Sequence, residues 1–141
     1  RLEQLMLSRM MFFCGGAFVC SYLKDADFEE QGAIRDDAEI LIDILRGIAG
    51  VRVALILKEN GKGEIRGSLR AKDETDVAQI ARDFGGGGHK AAAGLTYHKS
   101  LADALIEVPT DVIETCFPED AEAEVERLSI LIRSLREELD G

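Results

Sequence analysis

The sequence has few of the residues that mark disulfide-rich and zinc-binding proteins. Its 141 residues include no tryptophan, two histidines, two prolines and three cysteines. Cys14, Cys20 and Cys116 are odd in number and far apart, which excludes a complete disulfide framework and does not match a zinc ribbon. We therefore interpret them as reduced thiols of a cytoplasmic protein.

Long hydrophobic runs are also missing. The longest nearly apolar stretch, residues 10–23, is too short to span a bilayer and is interrupted by Gly15 and Gly16. The first residues do not form the basic and apolar regions of a signal peptide, so we predict neither secretion nor a membrane partner. Arg1 stands where a complete chain has methionine, which suggests a piece of a longer protein.

Positive charge is scarce and unevenly distributed. The net charge is −10, which argues against attraction to nucleic acid over the whole surface. Residues 52–100, however, contain nine Lys and Arg against six Asp and Glu, a net charge of +3 that leaves −13 for the rest. This segment fits a locally bound small anion, and chance clustering on a solvated face is the alternative.

What the sequence does contain is an alternation of helix and strand patterns. It predicts an α/β fold with a mixed β-sheet of about four to five strands, packed helices and a C-terminal helix. N-caps are expected at Asp36 or Asp37 and at Thr75 or Asp76, and Pro109 is expected to kink or restart its helix. The predicted helices are 2–13, 36–50, 74–84 and one from residue 100, and the predicted strands are 17–23, 51–57, 64–71 and 91–97.

The strand at 64–71 follows the hairpin turn ENGKG and has two different faces. Because side chains alternate along a strand, an apolar face opposes a polar one. The apolar face carries Ile65, Gly67 and Leu69, and the polar face carries Arg66, Ser68 and Arg70.

From Pro118 the sequence becomes a single helical pattern. Apolar residues recur at 3-4-3-4 spacing, which is typical of the core positions of a coiled coil. The pattern covers barely three heptads, so a helix packed on its own domain is an equal alternative to a homodimer through this helix. The residues concerned are Val125, Leu128, Ile132, Leu135 and Leu139.

The most unusual stretch is FGGGGHKAAAG, residues 84–94. Consecutive glycines let the backbone approach a ligand closely and let several N–H groups point at one anion. His89 and Lys90 stand at the exit of the run and can add donors. The stretch therefore predicts a phosphate site formed by Gly85, Gly86, Gly87, Gly88 and the two residues that follow.

Other interpretations of this stretch fit less well. A P-loop requires Ser or Thr after the lysine, and here Ala91 follows. A dinucleotide fingerprint follows a strand and opens a helix, whereas this run follows a helix. A helix C-cap needs only one glycine. A zinc site at His89 and His98 lacks further ligands at suitable spacing.

The stretch and the residues before it resemble the DHHA1 domain, the C-terminal half of DHH-family phosphoesterases. The similarity runs from IAGVRVALILKENGKGEIRGSLRAKD through ETDVAQIARDFGGGGHKAAAG, covers about residues 15–117, and is strongest to the nanoRNase and pAp phosphatase branch. The resemblance implies a DHHA1-like substrate-binding domain at 1–117 with its core at about 15–117. Residues 118–141 would then be a C-terminal helical extension. One departure is Arg70-Ala71, where the family often has Arg-Ser.

The resemblance also implies roles for individual residues. Gly85, Gly86, Gly87 and Gly88 would cradle a phosphate, and His89 would contact the scissile phosphate as the catalytic residue of this domain. Arg70 would bind a phosphate in bidentate fashion, with Ser68 and Lys90 as weaker candidates. Arg66 shares the face of Arg70 and is equally explained as a solvated residue.

In such proteins an N-terminal DHH domain holds manganese through Asp and His residues. This chain has no Asp-His-His triplet, so we expect no metal site and no cofactor of its own. The resemblance implies a manganese-dependent parent enzyme that hydrolyses short oligonucleotides or nucleoside phosphates, with the DHH domain in cis, and an inactive isolated chain. A non-catalytic nucleotide-binding, RNA-binding or dimerisation module is the alternative.

Overall fold

A computed structural model describes residues 1–33 and 40–141. Its centre is a six-stranded sheet in the order β1-β2-β3-β4-β6-β5. The pair β2–β3 is parallel and the other pairs are antiparallel, so the predicted mixed α/β sheet is confirmed. The strands are β1 Met11–Phe13, β2 Phe18–Leu23, β3 Val53–Glu59, β4 Ile65–Ala71, β5 Gly87–His89 and β6 Ala92–Tyr97.

Helices cover both faces of the sheet, but unequally. One face packs against α4, α5 and α6 and forms the larger apolar core, which reaches across β2, β3, β4 and β6. The other face is covered by α1, α2 and α3 over β2 and β3. The helices are α1 Leu2–Ser8, α2 Asp25–Gln31, α3 Leu41–Arg46, α4 Val77–Asp83, α5 Leu101–Cys116 and α6 Ala121–Asp140.

Local chemistry explains most of the element ends. The hairpin between β3 and β4 is closed by Asn60, whose N–H donates to Glu64 O and whose Oδ1 accepts from Lys62 N and Glu64 N. Asp76 is the N-cap of α4, because its Oδ1 accepts from Ala78 N at 3.0 Å. The expected caps Asp36 and Asp37 lie outside the described residues.

The prediction of one helix over residues 2–13 is wrong in its second half. The helix α1 ends at Ser8, and Met11–Phe13 is an edge strand paired with β2. The turn between them is fixed by Arg9, whose guanidinium bonds both carboxylate oxygens of Asp27 and lies 4.9 Å from the centroid of the Tyr22 ring. Alternating burial of Met11, Phe12 and Phe13 then favours a strand.

Of the two alternatives expected at Pro109, a kink or a restart of the helix, the restart is wrong. One helix, α5, runs from Leu101 to Cys116 through Pro109, which is itself buried. A proline inside a helix removes one backbone hydrogen bond. The buried apolar side of α5, which includes Leu105, Val108 and Val112, compensates for that loss by packing in the larger core.

The helix α6 packs on its own domain. Leu128, Ile132 and Leu139 are almost fully buried in the larger core, and Val125 and Leu135 pack beside them. These are the residues that could also have formed a coiled coil, so a homodimer through them would require α6 to leave this core. Neither α6 nor any other helix within residues 1–33 and 40–141 is both long and apolar enough to cross a membrane.

Two isoleucines of α6 provide a matched test of this packing. Ile132 is fully buried and Ile130 is 55% exposed. We expect Ile132→Ala to lower the free energy of unfolding by about 2–5 kcal/mol, because it leaves a cavity, and Ile130→Ala to change it by less than about 0.5 kcal/mol. Thermal and urea unfolding measure both. If the melting temperature of the wild type rises with protein concentration and that of Ile132→Ala does not, this face pairs two chains instead.

A candidate phosphate-binding site on the open face of the sheet

One half of the sheet has a face that the described helices leave largely uncovered, because α3 reaches only its edge at Arg70. On this side the strands β4, β6 and β5 present exposed or half-buried residues, while their other side lies in the larger core. We call this surface the open face. Its residues are Arg66, Ser68 and Arg70 of β4, Ala92, Gly94 and Thr96 of β6, and Gly87 and His89 of β5.

The strand register brings Arg70 and His89 into one row. Arg70 of β4 pairs with Ala92 of β6, and Ala92 pairs with His89 of β5. Because directly paired residues project to the same side, both functional side chains flank a small alanine on the open face. With strands about 4.8 Å apart, their Cα atoms are about 10 Å from each other. That gap is suited to a group contacted from both sides.

Arg70 is held at one end of this row. Its Nη1 donates to Leu69 O at 2.9 Å, and its Nε lies 3.6 Å from Asp43 Oδ1 of α3. Asp43 is shared, since Arg46 Nη2 lies 3.3 Å from the same oxygen. The Arg70 side chain is only 23% exposed, so it is oriented more firmly than a free surface arginine. This role of Asp43 has no signal in the sequence, where Asp43 is simply a carboxylate on a predicted helix.

The neighbouring row has almost no side chains. Ser68 pairs with Gly94, and Gly94 pairs with Gly87. An added Cβ at Gly87 would meet no atom within 4 Å, so the backbone there is bare toward the outside. This row lets a ligand lie directly against the backbone of the sheet beside Arg70 and His89.

Three of the four consecutive glycines have a structural reason of their own. Gly85 has φ +80° and follows α4 as the left-handed residue of a Schellman motif. A Cβ at Gly86 would lie 2.2 Å from Gly94 O, and one at Gly88 would lie 2.7 Å from Ala92 O. The close pairing of β5 with β6 therefore requires glycine at both positions, and only Gly87 has no such requirement.

The Schellman motif also limits which amides can bind a phosphate. Gly86 N donates to Ala81 O at 2.8 Å and Gly85 N donates to Arg82 O at 3.0 Å. Both N–H groups are thus used to end α4, although the predicted cradle included them. Gly87 and Gly88 are the members of the run whose N–H groups are not used to end α4. Gly87 lies on the open face, and Gly88 pairs with Ala93 of the core side.

His89 and Lys90, the two residues after the glycines, lie in different environments. His89 is exposed, and its imidazole makes no hydrogen bond within residues 1–33 and 40–141. Lys90 lies in the β5–β6 turn, where its Nζ is 3.1 Å from Glu74 Oε1 and its carbonyl accepts from Val77 N. This ion pair engages the Lys90 ammonium near the start of α4 and leaves His89 as the better donor.

The two histidines do not come together. His98 follows β6 and lies 3.4 Å from Glu64 Oε2. It is six residues from Ala92, the partner of His89, which corresponds to about 20 Å along the strand. A shared zinc site is therefore excluded. The described residues also bring together no group of three His, Cys, Asp or Glu side chains that could hold a metal ion. These residues therefore do not fit manganese.

The alanine at position 71, where the family often has serine, does not alter the open face. Ala71 is 4% exposed and belongs to the larger core, on the opposite side of β4 from Arg70. A serine hydroxyl at this position would point into that core. The side chains of the open face are the same with either residue.

A pair of carboxyl groups lies behind the glycine run. Asp83, the last residue of α4, faces Asp111 of α5. Burial, a hydrogen bond to Asp83, the charge of Asp83 and that of Glu114 together raise the pKa of Asp111 to about 7. Asp111 Oδ2 is buried and has no hydrogen-bond donor among the described residues, which fits a proton shared between the two carboxyl groups. Such a shared proton links α5 to Asp83, two residues before Gly85.

Comparison with known proteins identifies the domain. Residues 15–115 match the family model of the DHHA1 domain. The chain is 32% identical over 96 residues to the bifunctional oligoribonuclease and PAP phosphatase NrnA of Thermus thermophilus. This alignment covers 68% of the chain and 28% of that protein.

Solved structures share the fold. An exopolyphosphatase-related protein from Bacteroides fragilis superposes with a TM-score of 0.71 at 24% identity, covering 92% of this chain and 35% of that one. The pGpG-specific phosphodiesterase PggH from Vibrio cholerae gives 0.51 at 15% identity, covering 86% and 38%. The chain thus spans about a third of each of these larger proteins. The match to the family model covers most of its length, and the chain belongs to the DHHA1 family.

Proposed function

We propose that the chain is the substrate-binding C-terminal domain of a manganese-dependent DHH-type phosphoesterase. Its substrates would be short oligonucleotides or nucleoside phosphates such as pAp. The observation that carries this proposal is the row in which Arg70 and His89 flank Ala92 on the open face. A cationic fork and an imidazole on one uncovered surface suit a phosphate ester.

The chemistry of the row follows from its donors. The Arg70 guanidinium can bind two phosphate oxygens at once. An imidazole N–H of His89 on the other side can stabilise the charge that develops on a phosphoryl oxygen during hydrolysis. Backbone groups at Gly87 and Gly88 lie beside them, so the domain would bind and orient the ester while the bond is broken by groups outside this chain.

Relatives and chain length support a longer parent protein. The Thermus thermophilus relative is named as an oligoribonuclease and PAP phosphatase, and the chain covers only 28% of it. A preceding DHH domain in cis would supply the manganese. We further propose a cytoplasmic enzyme. A homodimer stays a prediction, and it would need a surface other than the apolar face of α6, which packs on the chain's own core.

The isolated chain should bind nucleotides without hydrolysing them. We expect no release of phosphate from pAp or of mononucleotide from a dinucleotide above a no-protein control, with manganese present, because the described residues form no metal-ligand cluster. The proposed longer protein, with a DHH domain in cis, should hydrolyse both, and the same assay on the two proteins measures the difference.

Two results would decide against this proposal. Hydrolysis by the purified 141-residue chain that persists after a second chromatographic step would mean that it carries its own catalytic centre. A longer protein that binds nucleotides and hydrolyses none of them would favour the alternative, a non-catalytic nucleotide-binding or RNA-binding module. The absence of an Asp-His-His segment before Arg1 would favour that alternative as well.

A further inference from the structure

The open face carries a second arginine that the row of Arg70 and His89 does not use. Arg66 lies on the same side of β4, four residues before Arg70, and is exposed. At about 3.3 Å per residue the Cα atoms of the two arginines are about 13 Å apart. They therefore mark two positions along the strand.

The two guanidinium groups are held in different directions. Arg66 Nη1 donates to Thr96 Oγ1 at 2.7 Å, directly across on β6. Arg70 is instead held on the side of α3, where its Nε lies 3.6 Å from Asp43 Oδ1. A phosphate bound between Arg70 and His89 thus leaves Arg66 with its donors for another group.

The surface between the two arginines is uncharged and nearly flat. Ser68, Gly94 and Gly87 form the row that separates them, and two of these three residues have no side chain. A ribose or a base can lie against this bare backbone without displacing any side chain. The row gives room for the uncharged part of a nucleotide between two anionic groups.

The positive surface ends beyond Arg66. Glu64, the next residue on this side of the chain, accepts from Asn60 Nδ2 at 3.0 Å and lies 3.4 Å from His98. A carboxylate at this end disfavours a further phosphate by like-charge repulsion. The open face thus offers two cationic positions bounded by an acidic one.

We propose that the open face contains two anion subsites and takes a nucleotide chain lengthwise along β4. One phosphate lies between Arg70 and His89, and a second phosphate of the same chain lies at Arg66. This inference rests on the proposed function and specifies its substrate as an oligonucleotide long enough to reach both arginines. A mononucleotide fills the first subsite alone.

The test compares AMP with the 5′-phosphorylated trinucleotide pApApA as ligands of the 141-residue chain. Arg66→Ala should weaken pApApA binding by roughly threefold to fivefold, the range of an exposed ion pair, and leave AMP binding unchanged. The plot of log affinity against log salt concentration for pApApA should also become less steep, by about 0.7 in slope. Arg66→Lys should recover this slope.

The matched control is Arg133→Ala. Arg133 is exposed on α6, which packs against the other face of the sheet, so this variant removes the same charge far from the open face. It should leave the affinities for both ligands and the salt slope unchanged. Thermal melting of each variant should match the wild type, because neither side chain is buried.

The possible failures are distinct. If Arg66→Ala weakens AMP and pApApA equally, or behaves like Arg133→Ala, the second subsite is wrong. The first subsite still stands in that case when Arg70→Ala and His89→Ala weaken both ligands. If the wild-type chain binds neither ligand, the proposed function fails, and the second subsite fails with it.

Discussion

Replacing His89 with alanine in the longer enzyme should lower turnover by roughly a hundredfold or more, the effect of removing one donor that stabilises transition-state charge. The melting temperature should hardly change, because His89 is exposed and its imidazole makes no hydrogen bond within the described residues. Single-turnover rates and thermal melting on the same preparation measure the two effects separately.

The second histidine of the chain is the control for this substitution. His98 has a side chain that is 72% exposed, lies near Glu64 and is remote from Arg70. His98→Ala should retain turnover close to that of the wild type. A His89→Ala enzyme with normal turnover per folded molecule and a lower melting temperature would make the glycine-histidine stretch a folding element and not a phosphate site.

Replacing Gly86 with valine should disrupt folding, whereas replacing Gly87 with alanine should not. A Cβ at Gly86 would lie 2.2 Å from Gly94 O and 2.9 Å from Leu95 Cα, so β5 could no longer pair closely with β6. The free energy of unfolding should fall by about 3 kcal/mol or more, the upper part of the range for overpacking. Circular dichroism during heating measures this loss as a decrease in melting temperature of roughly 10 °C or more.

The Gly87→Ala variant isolates the contribution of the bare backbone to binding. Its Cβ meets no atom within 4 Å, so the free energy of unfolding should stay within about 0.5 kcal/mol of the wild type. The methyl group would project onto the open face beside His89 and should weaken nucleotide binding severalfold. Equal melting temperatures for Gly86→Val and wild type would contradict the β5–β6 pairing, and unchanged binding by Gly87→Ala would remove that residue from the site.

Much of this fold follows from local sequence patterns. The strand at Phe18–Leu23, the hairpin of β3 and β4, and the cap at Asp76 all have short-range signals. The two edge strands could not be predicted in the same way. Each has three residues, too few for a two-residue alternation to be recognised, and β5 is mostly glycine, which carries no strand preference.

The candidate site was predictable in its members and not in its arrangement. Arg70, Ser68 and His89 follow from the strand pattern and the family resemblance, but the common row of Arg70 and His89 depends on β6 lying between β4 and β5. The reason for the glycine run was only partly predictable. Its length suggests a phosphate cradle, whereas glycine at positions 86 and 88 is required by the close approach of β6, the strand that follows the run. Asp43 is likewise brought to Arg70 by tertiary packing alone.

The central claim is that the open face binds a phosphate between Arg70 and His89. The most direct measurement is a titration of the ¹⁵N-labelled chain with pAp, followed by backbone amide chemical shifts. We predict the largest shifts at Gly87, Gly88 and His89 and at Ser68 and Arg70, with little change along α6. Shifts that cluster on another surface, or amides on the open face that do not move while pAp binds, would contradict the claim.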